Sequence, residues 1–325
     1  MFICTAISFL TKDHYFGRNL DLDHCYDESV IVVPRKYPLT FRCQSTITTH
    51  YAMIGIGIIV DNYPLYYDAT NEHGLSIAGL NFPGNARYLP QEPQKDNIAP
   101  FEFIPWILCQ CSDVDEAKTL LTKMNIAEIP FNTQYALTPL HWMISDSAQS
   151  ITVESTERGL QIYENPIGVL TNNPEFPFHL HNLTNHLNLT REIPSNRFSD
   201  KVQLIPDSLG MGAIGLPGDL SSASRFVRAA FTKLNSVNDC DELSSVSQFF
   251  HILASVAQTN GCCRTENGFE KTIYSSCCNT DKGIYYYKTY ENQQIVGVRM
   301  NGFNLERNCL YPLPLEKNQN IHFAN

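Results

Sequence analysis

Residues 4–19 read CTAISFLTKDHYFGRN, two apolar runs around a short polar segment. The runs at 4–9 and 15–19 have the composition of β-strands, and the polar TKDH between them is typical of a turn. This stretch therefore predicts a β-hairpin at the start of the fold. A cysteine, Cys4, begins its first strand, and Arg18 and Asp21 belong to its second strand and the residues that follow.

Strands and helices follow the hairpin in blocks. Apolar, β-branched runs predict strands at 29–34, 51–60, 66–82 with a break at NEHG 71–74, 141–145, 150–154, 160–163, 271–290 and 295–300. Helical spacing predicts helices at 101–111, from a cap at Ser112 onward, and at 178–187, 222–234 and 246–258. We expect the histidines at 179, 181 and 186 on a solvated helix face. Because strands and helices come in blocks, the pattern predicts one layered α+β domain rather than βαβ units.

Composition excludes several classes of protein. The chain has 325 residues, 43% of them hydrophobic and 17% charged, which excludes a disordered, collagen-like or coiled-coil protein. Its 33 acidic and 23 basic residues give a net charge of −10, which argues against nucleic acid as a partner. No apolar run approaches the roughly 18 residues of a membrane span, and no basic leader precedes the first apolar run. We therefore expect a cytoplasmic protein that is not inserted in a membrane.

The eleven cysteines do not predict a metal site. Two pairs are adjacent in sequence, at 262–263 and 277–278, whereas structural zinc ligands are usually separated by two to four residues. Adjacent side chains of a strand also point to opposite faces. We expect reduced and mostly buried thiols.

Cys4 is the residue whose position suggests catalysis. If residues 1–3 were removed, it would carry both a thiol and a free α-amine. An α-amine has a pKa of about 7.7–8.0 and can serve as a general base without a histidine. A nucleophile paired with its own N-terminal amine is a known catalytic arrangement. Position alone leaves open that Cys4 is an ordinary early cysteine.

Six blocks, in order along essentially the whole chain, resemble the choloylglycine hydrolase family. They are CTAISF 4–9, FGRNLD 16–21, NEHGLSIAGLNFPG 71–84, GVLTNNP 168–174, GLPGDLSSASRF 215–226 and IYYYKTYENQQI 284–295. This family includes bile salt hydrolases and penicillin V acylases and belongs to the N-terminal-nucleophile hydrolases. The resemblance implies a four-layer αββα sandwich, and it implies a reaction that uses no metal or cofactor.

The same resemblance assigns the catalytic positions. It implies that Cys4 is the nucleophile, that its α-amine is the base, and that Arg18 and Asp21 flank the thiol. It further implies an oxyanion hole made by the backbone N–H of Asn81 and the side-chain amide of Asn172. The resemblance also implies that an arginine directly before a phenylalanine completes the polar site. That position is Arg225 here, and Arg228, one helical turn later, is the competing candidate.

The substrate implied by the resemblance is a bile acid conjugated to glycine or taurine. An asparagine at position 81 resembles bile salt hydrolases, whereas a tyrosine there resembles penicillin V acylases. Asn81 therefore favours a bile salt hydrolase. Apolar residues near the site are the candidates for binding the steroid, namely Leu20, Val60, Tyr67, Phe131 and Tyr135. The alternatives are a penicillin V acylase and an unprocessed, inactive relative. The family also implies a homotetramer.

One feature departs from the family pattern. Bile salt hydrolases commonly begin Met-Cys, whereas Met-Phe-Ile precedes Cys4 here. Removal of an initiator methionine generally requires a small second residue, and Phe2 is large. We expect residues 1–3 to be cleaved from a single domain that spans 4–325, or the true start to differ.

Overall fold

Two antiparallel sheets face each other in the computed structural model, which describes residues 3–237 and 241–325. The strands in these ranges are β1 (Cys4–Leu10), β2 (His14–Leu22), β3 (Ser29–Val33), β4 (Met53–Val60), β5 (Tyr63–Asn71), β6 (Ser76–Asn81), β7 (Asp96–Ile98), β8 (Met124–Ile126), β9 (Leu140–Ser145), β10 (Ser150–Thr156), β11 (Gly159–Glu164), β12 (Val169–Leu170), β13 (Cys263–Arg264), β14 (Phe269–Asn279), β15 (Ile284–Thr289), β16 (Val296–Arg299) and β17 (Tyr311–Pro314). The α-helices are α1 (Phe103–Leu108), α2 (Val114–Leu121), α3 (Phe176–Asn182), α4 (Ser222–Asn235) and α5 (Glu242–Ala254).

The order of strands places the first hairpin at the centre of its sheet. The first sheet runs β12-β1-β2-β14-β15-β16, and β13 pairs with β14. The second sheet runs β11-β10-β9-β6-β5-β4-β3-β17, and a separate parallel pair joins β7 to β8. Strands β1 and β2 contact β5 and β6 across the interface between the two sheets.

Helices cover the outer faces of both sheets. Helices α4 and α5 pack on the first sheet against β1, β2, β12 and β14, and α1 packs on the second against β5 and β6. One core lies around the first sheet and includes Phe226 and Phe249 from the two helices. The other lies under α1 and α2, where Phe103 stacks on Trp142 with ring centroids 4.1 Å apart. The predicted αββα sandwich is confirmed.

Strands β1 and β2 are buried on both faces, which explains their nearly continuous apolar sequence. All nine residues of β2 are buried, and only Leu10 is exposed in β1. The glycine of FGRN allows β14 to approach, because a Cβ atom on Gly17 would lie 2.1 Å from the carbonyl oxygen of Ser276. The hairpin therefore holds its polar residues inside the sandwich, where they need partners.

The predicted elements correspond to observed ones within a few residues at their ends, apart from two further differences and several short strands that were not predicted. Helix α2 is capped by Asp113 rather than Ser112, because the carboxylate of Asp113 accepts the backbone N–H of Glu116 at 2.8 Å. The expectation of a solvated histidine face is wrong for His179, which is fully buried. Strands β7, β8, β12, β13 and β17 are too short to produce a clear sequence pattern. Within the ranges described, none of the helices has the length and apolar character needed to cross a bilayer.

Candidate active site

Cys4 is the first residue of β1 and lies where the two sheets and α4 meet. It is 2% exposed, and in the β1–β2 ladder it pairs with Leu20. Its backbone N–H donates to Oδ1 of Asn172 at 2.8 Å. Its carbonyl oxygen accepts a hydrogen bond from Nη1 of Arg225. Both polar backbone groups of the candidate nucleophile are thus fixed by side chains from distant parts of the chain.

Arg18 is fully buried and lies close enough to Cys4 for its charge to act on the thiol. Its Nη1 donates to the carbonyl oxygen of Tyr67 at 3.0 Å and also to that of Gly79. In the described part of the chain its Nη2 has no hydrogen-bond partner. Burial raises the pKa of the Cys4 thiol, and the charge of Arg18 opposes that rise. The thiol consequently needs a base in order to ionise near neutral pH.

Asp21 brings a negative charge near the Cys4 thiol, which raises the pKa of that thiol. One carboxylate oxygen accepts the hydroxyl of Thr272 at 2.6 Å, and the other, Oδ2, lacks a partner among the described residues. Burial raises the pKa of Asp21 to about 6, while Arg225, the Thr272 hydroxyl and Arg18 act to lower it. A buried carboxylate oxygen without a donor is uncommon and marks a position where a donor fits.

The side chain of Asn172 connects three of the predicted site residues. Its Oδ1 accepts from Cys4 and from Nη2 of Arg225 at 2.7 Å, and its Nδ2 donates to the carbonyl oxygen of Asn81 at 2.7 Å. Asn81 ends β6 and is 7% exposed. Arg228 instead donates hydrogen bonds to the carbonyl oxygens of Pro217, Asp219 and Ser255. Of the two candidate arginines, Arg225 is the one that contacts Cys4.

Two histidines hold the backbone that carries Asn172. Nε2 of His179 lies 2.9 Å from the carbonyl oxygen of Asn172, and Nε2 of His141 lies 3.0 Å from that of Thr171. Burial lowers the pKa of His179 to about 4. It is therefore neutral near pH 7 and its ring can donate one hydrogen bond to this carbonyl.

Three buried polar residues around the site were not predicted from the sequence. They are Thr272 beside Asp21, Asp68 near Arg18, and Glu270 beside Ile3. Asp68 accepts hydrogen bonds from the hydroxyls of Tyr274, Ser276 and Tyr285. None of the three belongs to a catalytic motif. For Asp68 the available signal was a charged residue between apolar neighbours of a strand, whereas Thr272 and Glu270 flank Lys271 and gave no such signal.

An apolar cavity of about 200 Å³ opens next to the polar cluster. Tyr67 and Gly79, whose carbonyls accept from Arg18, line this cavity, and so do Phe131 and Tyr135. Of the five residues predicted to bind the steroid, Leu20 and Val60 are not in its lining. Leu20 is packed in the core around the first sheet, and Val60 ends β4 opposite Tyr63 at a hairpin.

Comparison with known proteins identifies the family. The sequence profile of the linear amide C–N hydrolases of the choloylglycine hydrolase family matches residues 4–313. The chain belongs to the choloylglycine hydrolase family. It is 53% identical over 324 residues to a bile salt hydrolase/transferase of Lactiplantibacillus plantarum, a match that covers 99% of this chain and 100% of the relative. It is 40% identical to the bile salt hydrolase/transferase of Clostridium perfringens, with the same coverage.

Two solved structures share the fold of this chain. A variant of the conjugated bile acid hydrolase from Clostridium perfringens superposes with a TM-score of 0.92 at 40% identity, covering 99% of this chain and 100% of the other. A penicillin V acylase from Agrobacterium tumefaciens superposes with a TM-score of 0.73 at 18% identity, over 96% and 91% of the two chains. The second likeness shows a shared fold alone.

Replacing Phe131 with alanine is expected to raise KM for a substrate with a large apolar acyl group. Phe131 is 8% exposed and lines the cavity, so truncation removes apolar contact worth about 1–3 kcal/mol, or roughly 5- to 150-fold in KM. Steady-state kinetics would measure this change. Val60→Ala is the control, since Val60 lies outside the cavity. Equal KM values for the two variants would contradict a binding role for the cavity.

Proposed function

We propose that this chain hydrolyses the amide bond of bile acids conjugated to glycine or taurine, with Cys4 as the nucleophile. The observation that carries the proposal is the position of Arg18. The charge of its guanidinium acts on the Cys4 thiol, and its Nη1 donates to the carbonyl oxygens of Tyr67 and Gly79, two residues that line the apolar cavity. A steroid bound in that cavity would bring its amide carbonyl to the thiol. The bile salt hydrolases at 53% and 40% identity favour this substrate.

The base in this proposal is the α-amine of Cys4, which exists only after the preceding peptide has been removed. In the amine form it accepts the thiol proton, and as an ammonium it donates to the leaving nitrogen of glycine or taurine. Water, deprotonated by the amine, then cleaves the thioester to release the bile acid. Oδ2 of Asp21, which has no hydrogen-bond partner in the described part of the chain, is suited to accept a hydrogen bond from this ammonium. Such a bond would orient the base.

We assign the oxyanion hole to Asn172 and Asn81. In the uncleaved chain the amide of Asn172 donates to the carbonyl oxygen of Asn81, so the two residues are already adjacent. Arg225 holds Oδ1 of Asn172 and thereby directs the amide nitrogen. Fixed neutral donors stabilise an oxyanion that exists only along the reaction path.

The test is hydrolysis of glycocholate, taurocholate and penicillin V in parallel by the purified protein, whose N-terminus is determined by intact mass. We expect release of glycine or taurine at a higher kcat/KM than release of the penicillin side chain, from a chain that begins at Cys4. Preference for penicillin V would identify a penicillin V acylase. Absence of all three activities in a chain that begins at Cys4 would refute the proposal.

Thr272→Val is expected to shift the acidic limb of the kcat/KM profile to higher pH. The Thr272 hydroxyl lowers the pKa of Asp21, which burial has raised to about 6. A hydrogen bond to a charged group is worth about 1.5–3 kcal/mol, so its loss moves the limb upward by roughly one pH unit or more. Thr272→Ser keeps the hydroxyl and serves as the control. An unchanged profile in the valine variant would contradict a requirement for ionised Asp21.

The proposal extends to a homotetramer in the cytoplasm. The ten cysteines in the described ranges are free thiols, which is consistent with a reducing compartment. The segment between α3 and α4 exposes large apolar side chains, with Leu187 and Leu209 each 84% exposed and Phe198 83% exposed. Apolar groups concentrated in one exposed segment indicate a protein contact.

Phe198→Asp combined with Leu209→Asp is expected to dissociate the tetramer. Charged side chains at a buried contact are costly to desolvate. Light scattering would give the mass in solution. Leu243→Asp is the control, because Leu243 lies on α5 and is 77% exposed. A tetramer that persists in the double variant would exclude this segment as the contact.

A further inference from the structure

Glu270 lies next to the peptide that precedes Cys4. It belongs to β14, pairs with Cys263 of β13 and is fully buried. Its Oε1 accepts the backbone N–H of Ile3, and its Oε2 lies 3.7 Å from the thiol sulfur of Cys263. The Ile3 contact joins residues that are 267 positions apart in the chain.

The bond between Ile3 and Cys4 is therefore held on both sides. On the acyl side, Glu270 fixes the N–H of Ile3. On the amine side, Asn172 fixes the N–H of Cys4 and Arg225 fixes its carbonyl oxygen. Anchors on both sides restrict rotation about the bonds that flank the Ile3 carbonyl, so its carbon stays near the thiol. Such restriction is how a protein accelerates an intramolecular reaction.

The burial of Glu270 argues against a purely structural role for this residue. A buried carboxyl needs hydrogen-bond donors, and the main donor to Glu270 belongs to the residue that leaves. Burial also raises the pKa of Glu270 to about 7, and the Ile3 N–H opposes this. A carboxyl that is partly protonated still offers an oxygen to an N–H group.

We propose that Glu270 is a positioning residue for self-cleavage of the Ile3–Cys4 bond. The inference rests on the proposed function, since it assumes that Cys4 is the nucleophile. In the reaction, the Cys4 sulfur bonds to the Ile3 carbonyl carbon, the Ile3–Cys4 C–N bond breaks, and the thiol proton passes to the departing nitrogen. Water then hydrolyses the thioester, which restores the thiol and leaves a carboxylate on Ile3.

The test compares two substitutions that differ in one property. Glu270→Met is similar in length but lacks an acceptor oxygen, whereas Glu270→Gln retains one. Intact mass measured over time after synthesis follows the conversion to a chain that begins at Cys4. We expect conversion about 10- to 100-fold slower for Glu270→Met and within about threefold of the original rate for Glu270→Gln. Glu266→Gln, at an exposed position of the same hairpin, is the matched control for charge.

A second starting chain separates an effect on cleavage of the Ile3–Cys4 bond from an effect on hydrolysis of the substrate. Deleting Phe2 and Ile3 gives a Met-Cys start, from which methionine removal exposes the α-amine without cleavage of an Ile3–Cys4 bond. Glu270→Met on this start is expected to recover at least tenfold more glycocholate hydrolysis than the same substitution in the full chain. Cleavage of the Ile3–Cys4 bond at the original rate in the Glu270→Met chain would overturn the proposal. The proposal would also be overturned if Glu270→Met on the Met-Cys start failed to recover glycocholate hydrolysis. The unsubstituted Met-Cys chain tests the proposed function independently.

Discussion

Cys4→Ser is expected to reduce bile salt hydrolysis by at least about 10³-fold while the protein still folds. A serine hydroxyl is far less acidic than a thiol, and burial already raises the pKa of the Cys4 thiol. The pKa of the α-amine, near 8, is far below that of a hydroxyl, so only a very small fraction of the serine hydroxyl would be ionised. The change in size is small, so β1 should keep its place in the sheet.

The serine variant is best made on a Met-Ser start, without Phe2 and Ile3. Serine is small enough for the methionine to be removed, so a free α-amine is present and only the nucleophile differs. Kinetics with glycocholate and intact mass would be measured together. Activity above a few per cent in a Cys4→Ala chain would place the nucleophile elsewhere. Cys277 and Cys278 are poor substitutes, because both are fully buried and burial raises the pKa of Cys278 to about 12.

Asn172→Ala is expected to lower kcat about 10²- to 10³-fold with a much smaller effect on KM. Its amide nitrogen is the donor assigned to the oxyanion, which is present only along the reaction path. The substitution also frees the Cys4 N–H and Nη2 of Arg225, both of which Oδ1 of Asn172 accepts. Steady-state kinetics on the Met-Cys chain would isolate the effect on hydrolysis.

Asn173→Ala is the control for the neighbouring position. The amide nitrogen of Asn173 donates to the carbonyl oxygen of Pro83 at 2.6 Å and makes no contact with Cys4 in the described structure. We expect kcat within about threefold of the original value, as for a residue outside the transition-state contacts. An Asn172→Ala variant that binds poorly and turns over normally would contradict the oxyanion role.

Local patterns predicted most of the secondary structure and, through the family resemblance, the architecture. The hairpin at 4–19, the helices that became α4 and α5, and the break at NEHG depend on residues close together in the chain. The motif blocks also identified the residues that meet around Cys4. They did not distinguish buried from exposed faces of a short helix, so His179 was assigned to solvent although it is fully buried.

The sequence by itself determined the order of the longer strands and of the helices along the chain, the family and the residue types of the candidate site. The tertiary structure decided which distant residues touch. Arg225 meets Cys4 across 221 positions and Glu270 meets Ile3 across 267, because α4 and β14 pack against the first hairpin. Leu20 is packed in the core and Val60 lies at the β4–β5 hairpin, so neither lines the cavity, whereas Thr272 of β14 lies beside Asp21. Such contacts depend on how sheets and helices stack, and no local periodicity encodes that stacking.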